Sequence, residues 1–578
     1  MTGPELPNTT VSPRDHHRAM LGIAFVAIAA SIWGIGNYWA QDDFPLIWKY
    51  EALHHLPGAW RFFTKPYWPP PFSPDLYRPL ALVTFALQWA VAGDTPIVFR
   101  LVSYLLYAAS SIAVFLLARR LLPFAVAVAV GALFAAHPVH VEAVAMAVNQ
   151  GEIWVGLLAC LITVRYLRSR ARGALNGRDE AIMLAGFAIA CLFKENALMI
   201  PGFLLAAELL LVRDPAPIPA RVGGIRRFYL LLGLVAVSFY WVRTLVLGGS
   251  LIGSFTAEGL AGLTAAGRAL TMLQVVPHWA RLLVWPRNLQ ADYSPQEIST
   301  ADAWGNAQTL GLLLLAGALL LLAWSWRRVP IAAFGLTWLA IAMFPVHNVL
   351  VPTGIVLAER TLFLPSIGFL IAVGGFAAHL LPQVGLRYRQ LVAAAAGALV
   401  VLGVHRSTIR HPIWEDQFTL WYQTANRDAP KSYRAHHALA EMYFTAGVEG
   451  RAEREYRLAI QYAPPGISSV YFDYANRLRL KGFCYPAIEL YKRILEINHN
   501  VIAARASLIA CQMQLGHYRD ARIQSRLGIA YGWQQASFRR FKQLADSAIA
   551  ANAPPGTVPL AVVPTDTVAA YLRIGTQP

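Results

Sequence analysis

The chain has 578 residues, of which 56% are hydrophobic and 14% charged. A soluble domain carries roughly 45–50% apolar and about 25% charged residues, so an ordinary soluble globule is excluded and hydrocarbon-facing surface is required. The formal charge of +17 is scattered as short basic clusters between apolar stretches, which argues against a nucleic-acid partner and suits the cytoplasmic loops of a membrane protein.

The first apolar stretch, 19–39, is too long for a signal-peptide core and reads as a signal anchor behind a cytoplasmic N-terminus at 1–18. Similar stretches recur at 98–118, 228–248, 307–325 and 389–404. Basic residues alternate with the spans. They are Arg14 and Arg18, Arg119 and Arg120, Arg165 to Arg178, Arg213 to Arg227, Arg327 and Arg328, and Arg387 and Arg389. Placing all of them inside gives about eleven spans and puts the C-terminus outside. Two segments, 79–92 and 268–285, read as re-entrant or interfacial helices on the outer side; the second contains Pro277, His278 and Arg281.

The polar motifs fall on the face opposite the basic clusters. A first outer loop, 40–96, opens with Asp42-Asp43 and holds Trp48, Tyr50, Trp60, Phe62, Phe63, Tyr67, Trp68, Phe72 and Tyr77 among prolines 66, 69, 70, 71 and 74. Aromatics at this density suit a loop lying on the bilayer surface beside a lipid-borne substrate. Paired carboxylates there could hold a divalent cation or deprotonate a hydroxyl, or could form an ordinary turn. His137 and His140, one helical turn apart near Glu142, lack a third ligand and read as a hydrogen-bonded cluster rather than a metal site. Lys194-Glu195 and Glu359-Arg360 read either as self-neutralising pairs or as cations held ready for a phosphate. Arg78 has no acid beside it in the sequence and is the cleanest phosphate candidate of the loop.

After a connector at 411–432, a repeat of about 34 residues occupies 433–535. Gly447, Gly482 and Gly516 share one position, and Ala452, Ala487 and Ala521 another five residues on. This is the tetratricopeptide pattern of stacked helix pairs, about three of them, suited to binding a protein partner or to capping the membrane domain. Residues 536–578 read as a tail, rich in Pro, Thr and Ala after 552. None of the four cysteines forms a CxxC pair; Cys160 and Cys191 lie in spans, and Cys484 and Cys511 in the repeats could pair. The fold class is therefore all-α, a polytopic helix bundle followed by a helical solenoid.

One ordered set of motifs runs along the chain. It comprises the acidic pair after the first span, YRPL (77–80), FAAHPVHVEAV (134–144), NQGE (149–152), KENALMIP (194–201), the Asp292-Tyr293-Ser294 segment after Pro286, AERTLFLPSIG (358–368), and IWEDQFTLW (413–421) before the repeats. In this order the motifs resemble the transmembrane and tetratricopeptide repeat O-mannosyltransferases and their bacterial relatives, within the C-type glycosyltransferase superfamily. The resemblance implies a transferase acting on the outer, periplasmic face of a bacterial inner membrane, with a polyprenyl-phosphate-linked sugar as donor. It implies a base at Asp42 or Asp43, a further carboxylate at Glu152 and a donor-phosphate contact at Arg78; the cations at span ends add Lys194 and Arg360 as further phosphate holders. Tyr77, His137, His140, Asn149, Glu195, Asp292, Asn348 and Glu359 would line the site. Asn149 and Gln150 stand where the family often has Gly-Arg. Competing readings are a non-catalytic scaffold for envelope proteins, a lipid-linked glycan ligase, and a transporter. The transporter is disfavoured because the charges sit at span ends rather than at the bilayer midplane.

Overall fold

The computed structural model describes residues 11–70, 72, 74–212, 218–249, 256–532 and 535–557. Pro71, Arg213 and the last part of the tail, from 558 on, lie outside the described residues. Every regular element among the described residues is helical. The chain divides into two compact units, one built from residues up to Pro430 except 294–297, the other from Ser294–Glu297 and Lys431–Pro578.

Seven helices among the described residues of the first unit are long and apolar enough to cross a membrane. They are Pro13–Gly34, Ile97–Leu121, Ala147–Arg170, Gly223–Val246, Asn306–Arg328, Glu359–Gln383 and Leu386–Trp414. Phe124–Ala136 and Pro138–Ala145, bent by 44°, give an eighth if they form one broken span. The break falls at Pro138, whose ring and missing N–H interrupt the helical ladder. The count is thus lower than the eleven or so expected. The other three expected spans fall on Gly177–Phe193, Ile200–Leu210 and Pro330–Val346, which are shorter than the roughly 20 residues a bilayer core needs. The segment expected at 268–285 is one helix, Ala265–Val284, continuous through Pro277.

The helices at the heart of this unit pack through one apolar cluster that includes Phe115, Phe134, Phe203, Trp338 and Phe363. The loop over 40–96 has a core of its own. Trp39, Leu46, Phe62 and Tyr67 are buried with Phe85 and Phe99, while Trp60 and Phe72 remain 67% and 47% exposed. The loop aromatics therefore divide into a packed set and an outward set, and only the outward set can touch lipid headgroups.

The second unit is a series of helical hairpins. Tyr433–Thr445 pairs with Glu449–Tyr462, Ser469–Leu480 with Cys484–Ile497, and Ile502–Gln514 with Tyr518–Ala530. Gly447, Gly482 and Gly516 make the turns at φ of 75°, 83° and 76°, a left-handed conformation that a Cβ disfavours. Ala452, Ala487 and Ala521 are buried where the helices meet. Cys484 and Cys511 form a disulfide with Cα atoms 5.1 Å apart, joining the second hairpin to the third; Cys160 and Cys191 are free and buried. The ordered stack runs past 535 into the expected tail, because Gln535–Ala550 is amphipathic and buries Phe538, Phe541, Ala545 and Ala548.

Candidate functional site

The two neighbouring aspartates have different environments. Asp43 is fully buried. Its Oδ2 accepts from Arg100 Nη1 at 3.0 Å and from the Ala147 N–H at 3.1 Å, and its Oδ1 from the Val148 N–H at 2.9 Å. Arg100, itself 1% exposed, also donates to the carbonyls of Ala145 and Tyr38. Burial pushes the Asp43 carboxyl up from its ordinary value, while Arg100 and the two N–H groups pull the other way. With every oxygen engaged inside the protein, Asp43 acts as an anchor that fixes the loop to the helix starting at Gln150. Asp42 is half-buried and lies within electrostatic reach of Tyr67 and Arg360.

Three cations, one of them Arg360 within electrostatic reach of Asp42, form a group, each held by a carboxylate from a different segment. Arg78 Nε donates to Glu195 Oε2 at 2.8 Å and its guanidinium lies over the Tyr67 ring at 5.0 Å. Lys194 Nζ contacts Glu152 Oε1 at 2.6 Å. Arg360 pairs with Glu142 and donates its backbone N–H to Glu142 Oε2 at 2.8 Å. Lys194 is within electrostatic reach of both Arg78 and Arg360. Burial pulls the Lys194 ammonium below its ordinary value, against the raising effect of Glu152.

These contacts correct two sequence expectations. Arg78 does have an acid, supplied by Glu195 from 117 positions away. Lys194-Glu195 and Glu359-Arg360 are not self-neutralising pairs. Lys194 is extended, with φ −163° and ψ 142°, so its side chain and the next diverge. Glu359 and Arg360 share a 3₁₀ turn, where successive side chains sit about 120° apart. Each residue therefore pairs with another segment. Gly151 permits the central pairing, since a Cβ there would meet the Phe193 carbonyl at 3.0 Å and push Glu152 away from Lys194.

Other expected residues hold the surroundings. Tyr77 donates its hydroxyl to the Phe63 carbonyl at 2.9 Å and its N–H to Glu195 Oε1 at 3.2 Å. Asn149 Nδ2 donates to the Glu142 carbonyl at 3.0 Å, and Asn196 Nδ2 to Glu152 Oε2 at 2.6 Å. Glu359 is separate from the cation group; it accepts from Tyr293 Oη at 2.8 Å and the Gln290 N–H at 2.5 Å. Asp292 is buried in that same loop. His140 is bonded to Tyr107 Oη and Ser366 Oγ at 2.9 Å each, and His137 Nε2 to the Leu283 carbonyl at 3.0 Å. Asn348, at φ 57°, accepts from Thr353 and donates to the Val346 and Ile355 carbonyls, so it folds its own loop.

Arg100 and Glu142 complete the site, and neither was singled out as a functional residue by sequence reasoning. Arg100 carried a signal, being a lone cation at the start of an apolar helix. A divalent cation between Asp42 and Asp43 does not fit, because the Asp43 oxygens already accept three hydrogen bonds, one of them from a cation. Among the described residues the group close enough to hold a metal is His437, Glu441 and Asp473 in the second unit, where Arg477 already pairs with Glu441.

No family model matches the chain. Comparison with characterised proteins gives a consistent result. The Drosophila melanogaster protein O-mannosyl-transferase Tmtc1 is 26% identical, over 67% of this chain and 54% of the relative. The human protein O-mannosyl-transferase TMTC3 is 24% identical, over 66% of this chain and 44% of its own length. The Caenorhabditis elegans protein O-mannosyl-transferase F38B6.6 is 22% identical, over 78% and 64%. The homologues of this chain are named protein O-mannosyl-transferases. The chain spans about half the length of the first of these relatives.

Proposed function

We propose that the chain is a membrane glycosyltransferase that moves a sugar from a polyprenyl-phosphate donor to a hydroxyl of a protein or glycan acceptor. The observation that carries this reading is the grouping of Arg78, Lys194 and Arg360, with the half-buried carboxylate of Asp42 within electrostatic reach of Arg360. The relatives' common name supports it.

Asp42 serves as the base and Asp43 as its anchor. Asp42 takes the proton of the acceptor hydroxyl as that oxygen bonds to the anomeric carbon of the sugar. The bond from that carbon to the phosphate oxygen breaks, and its electron pair leaves on polyprenyl phosphate. The cation group accepts the growing negative charge, with the arginines suited to paired oxygens and Lys194 to a point contact. Glu152 orients Lys194 rather than acting as a second base.

The active face is the outer one, and the membrane is the inner membrane of a bacterium. Arg100 and the Arg119-Arg120 cluster lie near opposite ends of one helix, Ile97–Leu121, about 30 Å apart at 1.5 Å per residue. The start of Gln150–Arg170 carries Glu152 and its end Arg168 and Arg170. The basic ends favour the cytoplasm, which supports a periplasmic site. The disulfide supports an oxidising compartment for the hairpins, which we read as tetratricopeptide-type repeats that bind a protein acceptor or partner.

The test is transfer of labelled mannose from polyprenyl phosphomannose by membranes containing the intact chain. Transfer that is lost in Asp42→Asn at equal abundance supports the reading. A scaffold instead would tolerate Asp42→Asn and lose partner assembly when the hairpins are removed.

A further inference from the structure

The residues that carry Asp42 are clamped from two sides. On one side Arg100 Nη2 donates to the Tyr38 carbonyl at 2.6 Å. On the other side lies the segment His411–Trp421, which begins within the end of the last span. There Asn37 Nδ2 donates to the His411 carbonyl at 2.8 Å, the Tyr38 N–H donates to the Glu415 carbonyl at 2.6 Å, and Gln417 Nε2 donates to the Gln41 carbonyl at 3.2 Å. Trp414 and Leu420 of this segment are buried with Trp39, Ala40 and Leu46, which flank Asp42. Gly34 allows the approach, since a Cβ there would stand 2.9 Å from His411 Nδ1 and 3.0 Å from Tyr104 Oη.

The last of these contacts bears directly on the base. Gln41 has a φ of 48°, a left-handed conformation that is strained for a residue with a Cβ. The strain sits one peptide before Asp42, and such strain persists only where surrounding contacts over-determine it. The Gln41 carbonyl accepts from the Phe44 N–H within the turn and from Gln417 Nε2 outside it, each at 3.2 Å, and the Gln417 side chain is fixed in turn, because its Oε1 accepts from the Trp421 indole N–H at 2.9 Å. A turn held this way sets the direction in which Asp42 leaves the backbone.

We propose that Gln417 is a positioning residue for the transferase reaction: through the Gln41 carbonyl it holds the strained turn that aims Asp42. The segment from His411 to Trp421, which precedes the hairpins, is thereby part of the catalytic architecture. This inference rests on the reading of Asp42 as base.

The experiment uses the full chain in lipid nanodiscs, with labelled polyprenyl phosphomannose as donor. Gln417→Ala lowers kcat about tenfold and leaves the donor KM unchanged, because the donor cations lie on other segments. Gln417→Glu keeps the acceptor for Trp421 and the side-chain shape but lacks the donor for Gln41, so it shows the same kcat loss. Gln41→Gly in the Gln417→Ala background recovers most of the loss, because glycine adopts the left-handed turn without strain. Amide hydrogen exchange across 37–43 speeds up in both Gln417 variants, a readout that needs no activity. Unchanged kcat, unchanged exchange, or a loss that Gln41→Gly does not relieve overturns the proposal. Transfer that survives Asp42→Asn overturns the reading beneath it instead.

Discussion

Two charged networks occupy opposite ends of the helix Gln150–Arg170, and they are built differently. At its far end Glu208 accepts from Arg170 twice, at 2.9 and 3.0 Å, from Tyr166 Oη at 2.8 Å and from Arg221 at 3.0 Å. Four donors on one buried carboxylate form a lock among three helices. At the near end the pairing is one to one. Arg78, Lys194 and Arg360 each rest on a single carboxylate partner, with half-buried Asp42 within electrostatic reach of Arg360. Saturating a carboxylate with cations stabilises a fold, whereas several cations with one partner each can still take up an anion. The difference teaches that burial and ion pairing alone do not mark a site; the stoichiometry of donors to acceptors does.

The comparison predicts that stability and activity separate between the two ends. The largest stability effect is expected at the lock. Glu208→Ala leaves Arg170 and Arg221 uncompensated and costs about 3–5 kcal/mol, read as a lower unfolding midpoint in detergent, with transfer per folded molecule unchanged. Arg360→Ala acts the other way. It lowers kcat about 10²–10³-fold by removing charge stabilisation from the leaving phosphate, and its unfolding midpoint moves less than that of Glu208→Ala. If Glu208→Ala abolished transfer by the folded protein, the division between lock and site would fail.

Smaller effects sharpen the same division. Asn348→Ala removes the side chain that closes the 346–355 loop and strains its left-handed backbone, lowering stability by about 1–2 kcal/mol without changing the donor KM. The pH profile should report Lys194. On the proposed reading only its protonated form would hold phosphate, and burial lowers its folded pKa below the ordinary 10.5. Activity therefore falls, as pH rises, at a lower pH than an exposed lysine would give. Lys194→Arg should move that alkaline limb upward; an unmoved limb would remove Lys194 from the donor site.

Legibility in the sequence followed the range of each interaction. The helical class and the positions of the repeat glycines follow from local periodicity and turn chemistry, both of which a sequence displays. The members of the cation group were visible as charges at span ends. Their partners were not, because Glu195 reaches Arg78 across 117 positions and Glu142 reaches Arg360 across 218. Adjacent opposite charges look self-neutralising on paper, and only the backbone conformation at Lys194 and Glu359 separates them. The inequality of Asp42 and Asp43 was equally hidden, since it depends on where Arg100 and the Ala147 and Val148 amides arrive.

The measurement that tests this account most directly sets Asp42→Asn beside Asp43→Asn, recording thermal unfolding and sugar transfer per folded molecule. Asp42→Asn should unfold like the parent and lose at least about 10²-fold in transfer. Asp43→Asn leaves Arg100 buried without its carboxylate; it should unfold at a markedly lower temperature while its folded fraction still transfers sugar. A stable, inactive Asp43→Asn together with an active Asp42→Asn would contradict the assignment of base and anchor.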